Sequence, residues 1–492
     1  MPPLSNATLQ SLHPGVAVPR YDRQAVRPSI VHIGVGGFHR SHQAVYVDEV
    51  LSRGHVEWGV CGVGLLPSDR RMATVMREQD CLYTLVLKDT DRASDPRVVG
   101  AIARYLFAPD DTESVLSALA NPATRVVSMT ITEGGYLVSD ATGEFDADHP
   151  DVVEDLASDA APRTVFGLVT EALARRKAHD VAGFTIVSCD NMPGNGHVAR
   201  SAFTSFARLR NRELADWIDE RVSFPNSMVD RITPVITDDD RQELLARYDV
   251  SDGWPVVAEP FTQWVLEDNF VDRRPPLEEV GVQLVGDVEP YELMKLRLLN
   301  ASHQVMGYLG YLAGHRYVHE VARDRDFAAL LTRYMRDEAA PTLSAVAGID
   351  LGNYQRTLLT RFSNAAIKDS LARNCTDGSD RIPKFVLPVV RHQLAQDGDI
   401  SVAATAIAGW ARYLEGVDES GRLIDVSDRR LGQLAPLVAA QRSNPEALLG
   451  VEEVFGDVAD HPRFRSAFRE ALESLTSRGA RATIEALTAK KR

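Results

Sequence analysis

A chain of 492 residues, 44% hydrophobic and 25% charged, is long enough for two or three domains with full cores, which argues against a disordered or fibrous protein. Its net charge of −15 leaves no basic surplus for a phosphate backbone, and outside Lys490–Arg492 no Lys/Arg-rich block occurs, so nucleic acid is not an expected partner. No apolar run approaches the roughly 18 residues that span a bilayer, and "MPPLSNATLQSLHPG" lacks the basic and apolar regions of a signal peptide, so no membrane association and a cytoplasmic location are expected.

The first half of the chain alternates short apolar runs with helical patterns, the rhythm of an α/β fold. Strands are expected at 30–33, 58–63, 82–87, 125–131 and 184–188, several of them parallel and buried. The first runs straight into "GVGGFHR", where Gly34, Gly36 and Gly37 follow a strand and precede a helix. Glycine removes the Cβ that would keep backbone N–H groups from a pyrophosphate. His39 stands where G-x-G-x-x-G has its third glycine; its ring nitrogens and Arg40 offer polar contacts to phosphate or ribose. On pattern alone a purely structural turn is an equal reading.

The second strand leads into "LLPSDRRM", where Asp69 is the expected acidic partner of an adenosine ribose and favours NAD. Arg70 and Arg71 follow and offer cations for the 2′-phosphate of NADP, while a helix cap by Ser68 and Asp69 is the plainer reading. Two further strands end in "TITEGGY" and "VSCDNMPGNG", placing Glu133 and Asn191 at the carboxyl ends of a sheet, where open α/β sheets bind ligands. Asn and Gly also make ordinary turns there. The acidic stretch 136–164 reads as a long excursion from the first domain. Cys61, Cys81, Cys189 and Cys375 are widely spaced without a C-x-x-C pair, so reduced, mostly buried thiols are expected rather than disulfides or structural zinc.

From Pro290 onward strand signals nearly vanish. Stretches 291–315, 326–339, 353–373 and 400–416 carry helical periodicity, and a boundary near residue 288 divides the chain into domains 1–287 and 288–492. The richest segment is "EPYELMKLRLLNASHQVMGYLG". On a regular helix Lys295, Asn300 and His303 fall at about 0°, 140° and 80°, one broad face on which a lysine, an amide and an imidazole converge. A solvated face is the bland alternative. Tyr291 and Lys295 match the Y-x-x-x-K of short-chain dehydrogenases by accident, because the motif opens the helical half. His315 and His319 in "HRYVHE" lack a third ligand, so no metal is expected.

Taken together, "HIGVGGFHRSHQ", "TITEGGY", "SCDNMPGNG", "FPNSMVDRITP", "EPFTQWVLED" and "MKLRLLNASH" resemble the polyol-specific long-chain dehydrogenases, and "RFSN", "IPKF" and "VDESG" extend the resemblance to residue 421. The resemblance implies a Rossmann-like N-terminal domain, a mainly α-helical C-terminal domain and an NAD-dependent, metal-independent interconversion of D-mannitol and D-fructose, with D-arabinitol as a second substrate. Carried over by position, Lys295 resembles the general base, Asn191 and Asn300 the amides that hold the reacting oxygen, and His303 the residue that positions substrate and lysine. Gly34, Gly36, Gly37, Phe38, His39, Arg40, Asp69 and Glu133 fall on the cofactor side, with Val229 and Asp230 beside the nicotinamide. Arg373 is similar to an arginine near the substrate chain, and Arg381 stands in place of a family lysine, keeping charge but not donor shape. A monomer is implied as well.

The residue types fit that chemistry, since oxidising a secondary alcohol requires a base for the hydroxyl proton and donors for the developing alkoxide. An ordinary lysine, with a pKa near 10.4, becomes a base at neutral pH only when desolvation or a nearby positive charge lowers it. Relatives with the same core motifs reduce hexuronates such as fructuronate or tagaturonate, which is the alternative within the enzyme class. A non-catalytic NAD sensor is the alternative outside it.

Overall fold

The structure, a computed structural model, describes residues 3–90, 92–139, 143–157 and 161–489; Lys490–Arg492 and parts of the 136–164 stretch lie outside. Contacts divide the chain into two compact units, Met1–Glu289 and Pro290–Arg492.

The first unit contains β1 (Pro28–Ile33), β2 (Gly59–Gly64), β3 (Tyr83–Asp89), β4 (Arg92–Val99), β5 (Ile102–Phe107), β6 (Val126–Met129), β7 (Thr185–Ser188), β8 (Ser227–Asp230), β9 (Val256–Ala258), β10 (Gln263–Glu267) and β11 (Gln283–Val285). Five of these form a parallel sheet in the order β5-β2-β1-β6-β7. Strand alternation sends Val31, Ile33, Val63, Val127 and Ile186 to one core, with Phe166 and Phe203 from helices Val165–Ala178 and Asn195–Arg210. Ile30, Val60, Val126 and Val187 face a second core with Ala44, Val47 and Leu51 of helix Gln43–Ser52. Burial on both faces is why these strands read as continuous apolar runs.

Stretch 82–87 is a strand, but it lies outside this sheet. It pairs antiparallel with β4 and parallel with β9, and the sheet's edge is β5 instead. A third sheet, in the order β11-β10-β8, joins β10 antiparallel to β8.

The second unit is helical, with no strand among its described residues. One helical run covers Glu289–Met294, Lys295–Asn300 and Ala301–Leu312, and its middle segment is π-wound. Helix Ser401–Tyr413 packs against Ala301–Leu312 and against the long helix Pro462–Ala489. A Cβ on Gly409 would come within 2.7 Å of Leu309, so glycine permits that close approach. The expected helix over 353–373 is broken. Helix Leu351–Phe362 ends at a loop in which Lys368 takes φ 49°, and a short helix, Leu371–Cys375, follows.

Candidate functional site

The glycine loop at the carboxyl end of β1 is set from below. Gly34 takes φ +90°, and a Cβ there would lie 2.2 Å from the Thr130 carbonyl, so the β1–β6 approach itself demands glycine. Thr130 Oγ1 donates to the Gly34 carbonyl at 2.7 Å, and buried His32 lies within 2.8 Å of Ser128 Oγ and 3.2 Å of Thr130 Oγ1. Burial pulls the His32 pKa down to about 3, so the ring is neutral. Gly36 is different: an added Cβ would meet only the Gly34 carbonyl, at 3.9 Å, so the space over the loop is open. That is the cradle a pyrophosphate needs, and the loop fits a dinucleotide.

His39 and Arg40 depart from expectation. His39 is 1% exposed and stacks on His32 at 3.4 Å between centroids, while Arg40 is 2% exposed. The Arg40 guanidinium donates to the Trp254 carbonyl and lies over the Tyr83 ring. Both side chains are core, because the helix that begins at Gly37 turns them inward, so neither ring nor guanidinium faces the open side of the loop. Phe38, half-buried, stacks on His42.

Asp69 lies just beyond β2 and accepts from the Leu65 and Leu66 N–H groups, both at 2.9 Å, through Oδ2. It closes its own loop rather than capping the helix Arg70–Glu78 that follows. Arg70 pairs with Asp110 at 2.8 Å, and Arg71 lies over the Trp254 ring.

At the ends of β6 and β7 the controlling residue is Asp190, which the sequence reading passed over for its neighbour Asn191. Asp190 is buried and accepts from the N–H groups of Ile131 (3.0 Å) and Thr132 (2.8 Å) and from the Tyr136 hydroxyl (2.8 Å). Burial pushes its pKa up to about 6 against those three bonds. The turn it holds is strained: Thr132, a β-branched residue, takes φ 67°. Exposed Glu133 and exposed Asn191 stand on either side of this anchor. Val229 and Asp230, both buried, sit on β8 opposite Trp264 and Gln263 of β10.

A cavity of about 870 Å³ in the same unit lies against Gly183, Arg221 and Ser223, beyond the amino end of β7. It is therefore not at the sheet's carboxyl edge, where the motifs gather.

In the second unit, Lys295, Asn300 and His303 project from one helical run and are 7%, 8% and 8% exposed. The solvated-face reading fails on these numbers. The π winding also corrects the expected geometry: residues five apart, which diverge by about 140° on a regular helix, stand one turn apart where bonding is i to i+5. Lys295 and Asn300 are therefore drawn onto the same side. Asn300 Oδ1 and His303 Nε2 are buried without a hydrogen-bond partner. The His303 ring meets the edge of Phe362 and has its pKa pulled down to about 4, chiefly by burial, with Asp369 opposing and Arg373, Arg361 and Arg381 assisting.

Asp369, in "IKDS", is the second residue the sequence reading missed. Its carboxylate accepts from Arg373 at 2.8 Å and Asn374 at 3.2 Å. Arg381 donates to the Asn374 carbonyl at 3.1 Å, so both arginines converge on one short helix. The decoys resolve simply. The Tyr291 hydroxyl donates to the Ala347 carbonyl, and His315 faces Asp324 and Phe327. Among the described residues no group of three or more His, Cys, Asp or Glu side chains is placed to hold a metal ion, and no helix is long and apolar enough to cross a membrane. All four cysteines are buried and unbridged.

Two family descriptions match the chain: the mannitol dehydrogenase Rossmann domain over residues 28–279 and the mannitol dehydrogenase C-terminal domain over 287–476. The chain is 46% identical to the mannitol 2-dehydrogenase of Phaeosphaeria nodorum over 98% of its own length and 85% of that protein's. It is similar to the solved mannitol 2-dehydrogenase of Pseudomonas fluorescens in ternary complex with NAD and D-mannitol, at 45% identity and TM-score 0.92, with 99% of each chain covered. A substrate-free D-sorbitol dehydrogenase matches at 40% identity and TM-score 0.90, covering 98% of this chain and 100% of the other.

Proposed function

The chain belongs to the mannitol dehydrogenase family, and from that premise we propose that it oxidises D-mannitol to D-fructose with NAD, catalyses the reverse reduction, and accepts D-arabinitol as a further substrate. The observation that carries this reading is the buried Lys295, Asn300 and His303 set, with Asn300 Oδ1 and His303 Nε2 lacking hydrogen-bond partners. Buried polar atoms are costly when unsatisfied, and a polyol presents hydroxyls that both donate and accept.

NAD, when bound, supplies the hydride acceptor. Lys295, buried at 7% exposure, takes the proton of the reacting hydroxyl. Asn191 and Asn300 donate amide N–H groups to the oxygen as negative charge builds on it. His303, neutral at any working pH above about 4, orients the hydroxyl without competing for the proton. Arg373 and Arg381 donate to hydroxyls farther along the substrate.

Gly34, Gly36 and Gly37, with the backbone of Phe38, His39 and Arg40, take the pyrophosphate, and Asp69 takes a ribose hydroxyl. Glu133, Val229 and Asp230 belong to the nicotinamide end. The enzyme acts as a cytoplasmic monomer of 54.1 kDa, a mass that light scattering checks.

The test is NADH formation with D-mannitol, D-arabinitol and D-sorbitol and NADH consumption with fructose and fructuronate, all in EDTA. Turnover of mannitol and fructose is expected. Reaction of fructuronate alone, or NAD binding without any turnover, would overturn the reading.

A further inference from the structure

The run that carries Lys295 is π-wound from Lys295 to Asn300, and two further π segments, Tyr334–Ala339 and Ile382–Val386, pack against it. Such a turn is uncommon because it replaces the regular ladder of the α-helix. On an α-helix the Ala301 N–H would bond the Arg297 carbonyl, four residues back. Here it bonds the Leu296 carbonyl, five residues back. The Arg297 carbonyl thus loses its regular donor, and the Tyr334 hydroxyl, at 3.3 Å, donates to it instead. The Arg297 side chain is tied as well, donating to the Thr342 carbonyl at 2.6 Å. Tyr334 is fully buried, and burial holds its phenol well above the ordinary 10, so it remains a donor throughout.

We propose that Tyr334 is a positioning residue for the reaction, its hydroxyl holding open the π turn that sets Lys295 and Asn300 on one side of the helix. This rests on Lys295 being the base. A helix that relaxed to regular winding would rotate Asn300 away from Lys295, separating the proton acceptor from the amide that serves the same oxygen. Tyr334 lies 37 residues beyond Arg297 in sequence, so the turn is maintained by tertiary structure and not by local preference.

The test is Tyr334→Phe, which keeps the ring and removes the hydroxyl. Misplacement of reacting groups on the ångström scale predicts a fall in kcat for D-mannitol of roughly 10- to 100-fold, with KM held within about threefold. The affinity for NADH should be unchanged, and the pH profile of kcat should shift. A folded variant with wild-type kcat and an unshifted profile, or one whose loss lies wholly in KM, overturns the proposal. Lys295→Ala is measured alongside. If it stays active, the reading of Lys295 fails; if it collapses while Tyr334→Phe behaves as wild type, only the role of Tyr334 fails. Should the phenylalanine variant not fold, 4-fluorophenylalanine at position 334 fills the space of the hydroxyl without a proton to donate. A fall in kcat with a shifted profile then upholds the role, and wild-type kcat with an unshifted profile overturns it.

Discussion

His303 Nε2 lies 3.9 Å from Asp369 Oδ2, close enough for an ion pair when the ring is charged and too far for a hydrogen bond when it is not. Burial decides between the two, holding the ring neutral with a pKa of about 4. The folded value lies below the ordinary 6.5, so the folded chain binds fewer protons than the unfolded one in that window. Stability from this group is therefore fully present above about pH 6.5 and is lost as pH falls through about 4. Between pH 7 and 4.5 the wild type should lose on the order of 2 kcal/mol more than His303→Gln. Urea unfolding midpoints at the two pH values measure the difference, and parallel losses would rule out the neutral histidine.

Two glycines two residues apart in the same loop should respond differently. Gly34→Ala forces a Cβ against the Thr130 carbonyl at a positive φ and should cost about 2–4 kcal/mol of stability. Gly36→Ala points into open space, so the fold should be kept while NADH affinity drops roughly tenfold or more, about 1.4 kcal/mol. Thermal unfolding paired with NADH fluorescence titration separates the two. Unchanged affinity in Gly36→Ala would make the loop a structural turn only.

Asp69 carries both a loop-closing role and the proposed ribose contact. Asp69→Asn keeps one oxygen able to accept from Leu65 and Leu66 while removing the charge that repels a 2′-phosphate. The ratio of kcat/KM for NAD over NADP should fall by roughly tenfold, about 1.4 kcal/mol. Arg70, paired with Asp110, is exposed enough to swing towards the phosphate, since such surface pairs are weak. An unchanged ratio would remove Asp69 from cofactor selection.

Much of the first unit was legible because its strands are buried on both faces, so Val, Ile and Gly mark them without reference to neighbours. Stretch 82–87 shows the limit: its apolar run looks like any central strand, yet its partners are β4 and β9, which only tertiary pairing selects. β5 escaped notice for the opposite reason, since an edge strand with the pattern Ile102 buried, Arg104 exposed and Phe107 buried carries a diluted signal. His39 and Arg40 misled as well. Their polarity suggests a ligand, but the helix turns them into the core, where stacking and a carbonyl contact absorb them.

In the second unit the Lys295, Asn300 and His303 pattern was visible as a face of a helix, but its winding was not. "KLRLLN" contains neither proline nor glycine, and nothing local distinguishes it from an ordinary α-helix. The donor that accompanies the π turn comes from Tyr334, beyond any local window. Asp190 and Asp369 were hidden similarly, since a buried carboxylate is recognised by the N–H groups and guanidinium around it rather than by its neighbours in sequence.

The account turns on Lys295 as the base, and the most direct measurement is the pH dependence of D-mannitol oxidation by wild type and Lys295→Ala, with NADH affinity measured in parallel. Loss of the base should lower kcat by roughly 10²-fold or more and abolish the ascending limb of the profile while cofactor affinity is unchanged. A variant that keeps its rate within a few fold and the same ascending limb would contradict the account, because some other group would then be taking the proton.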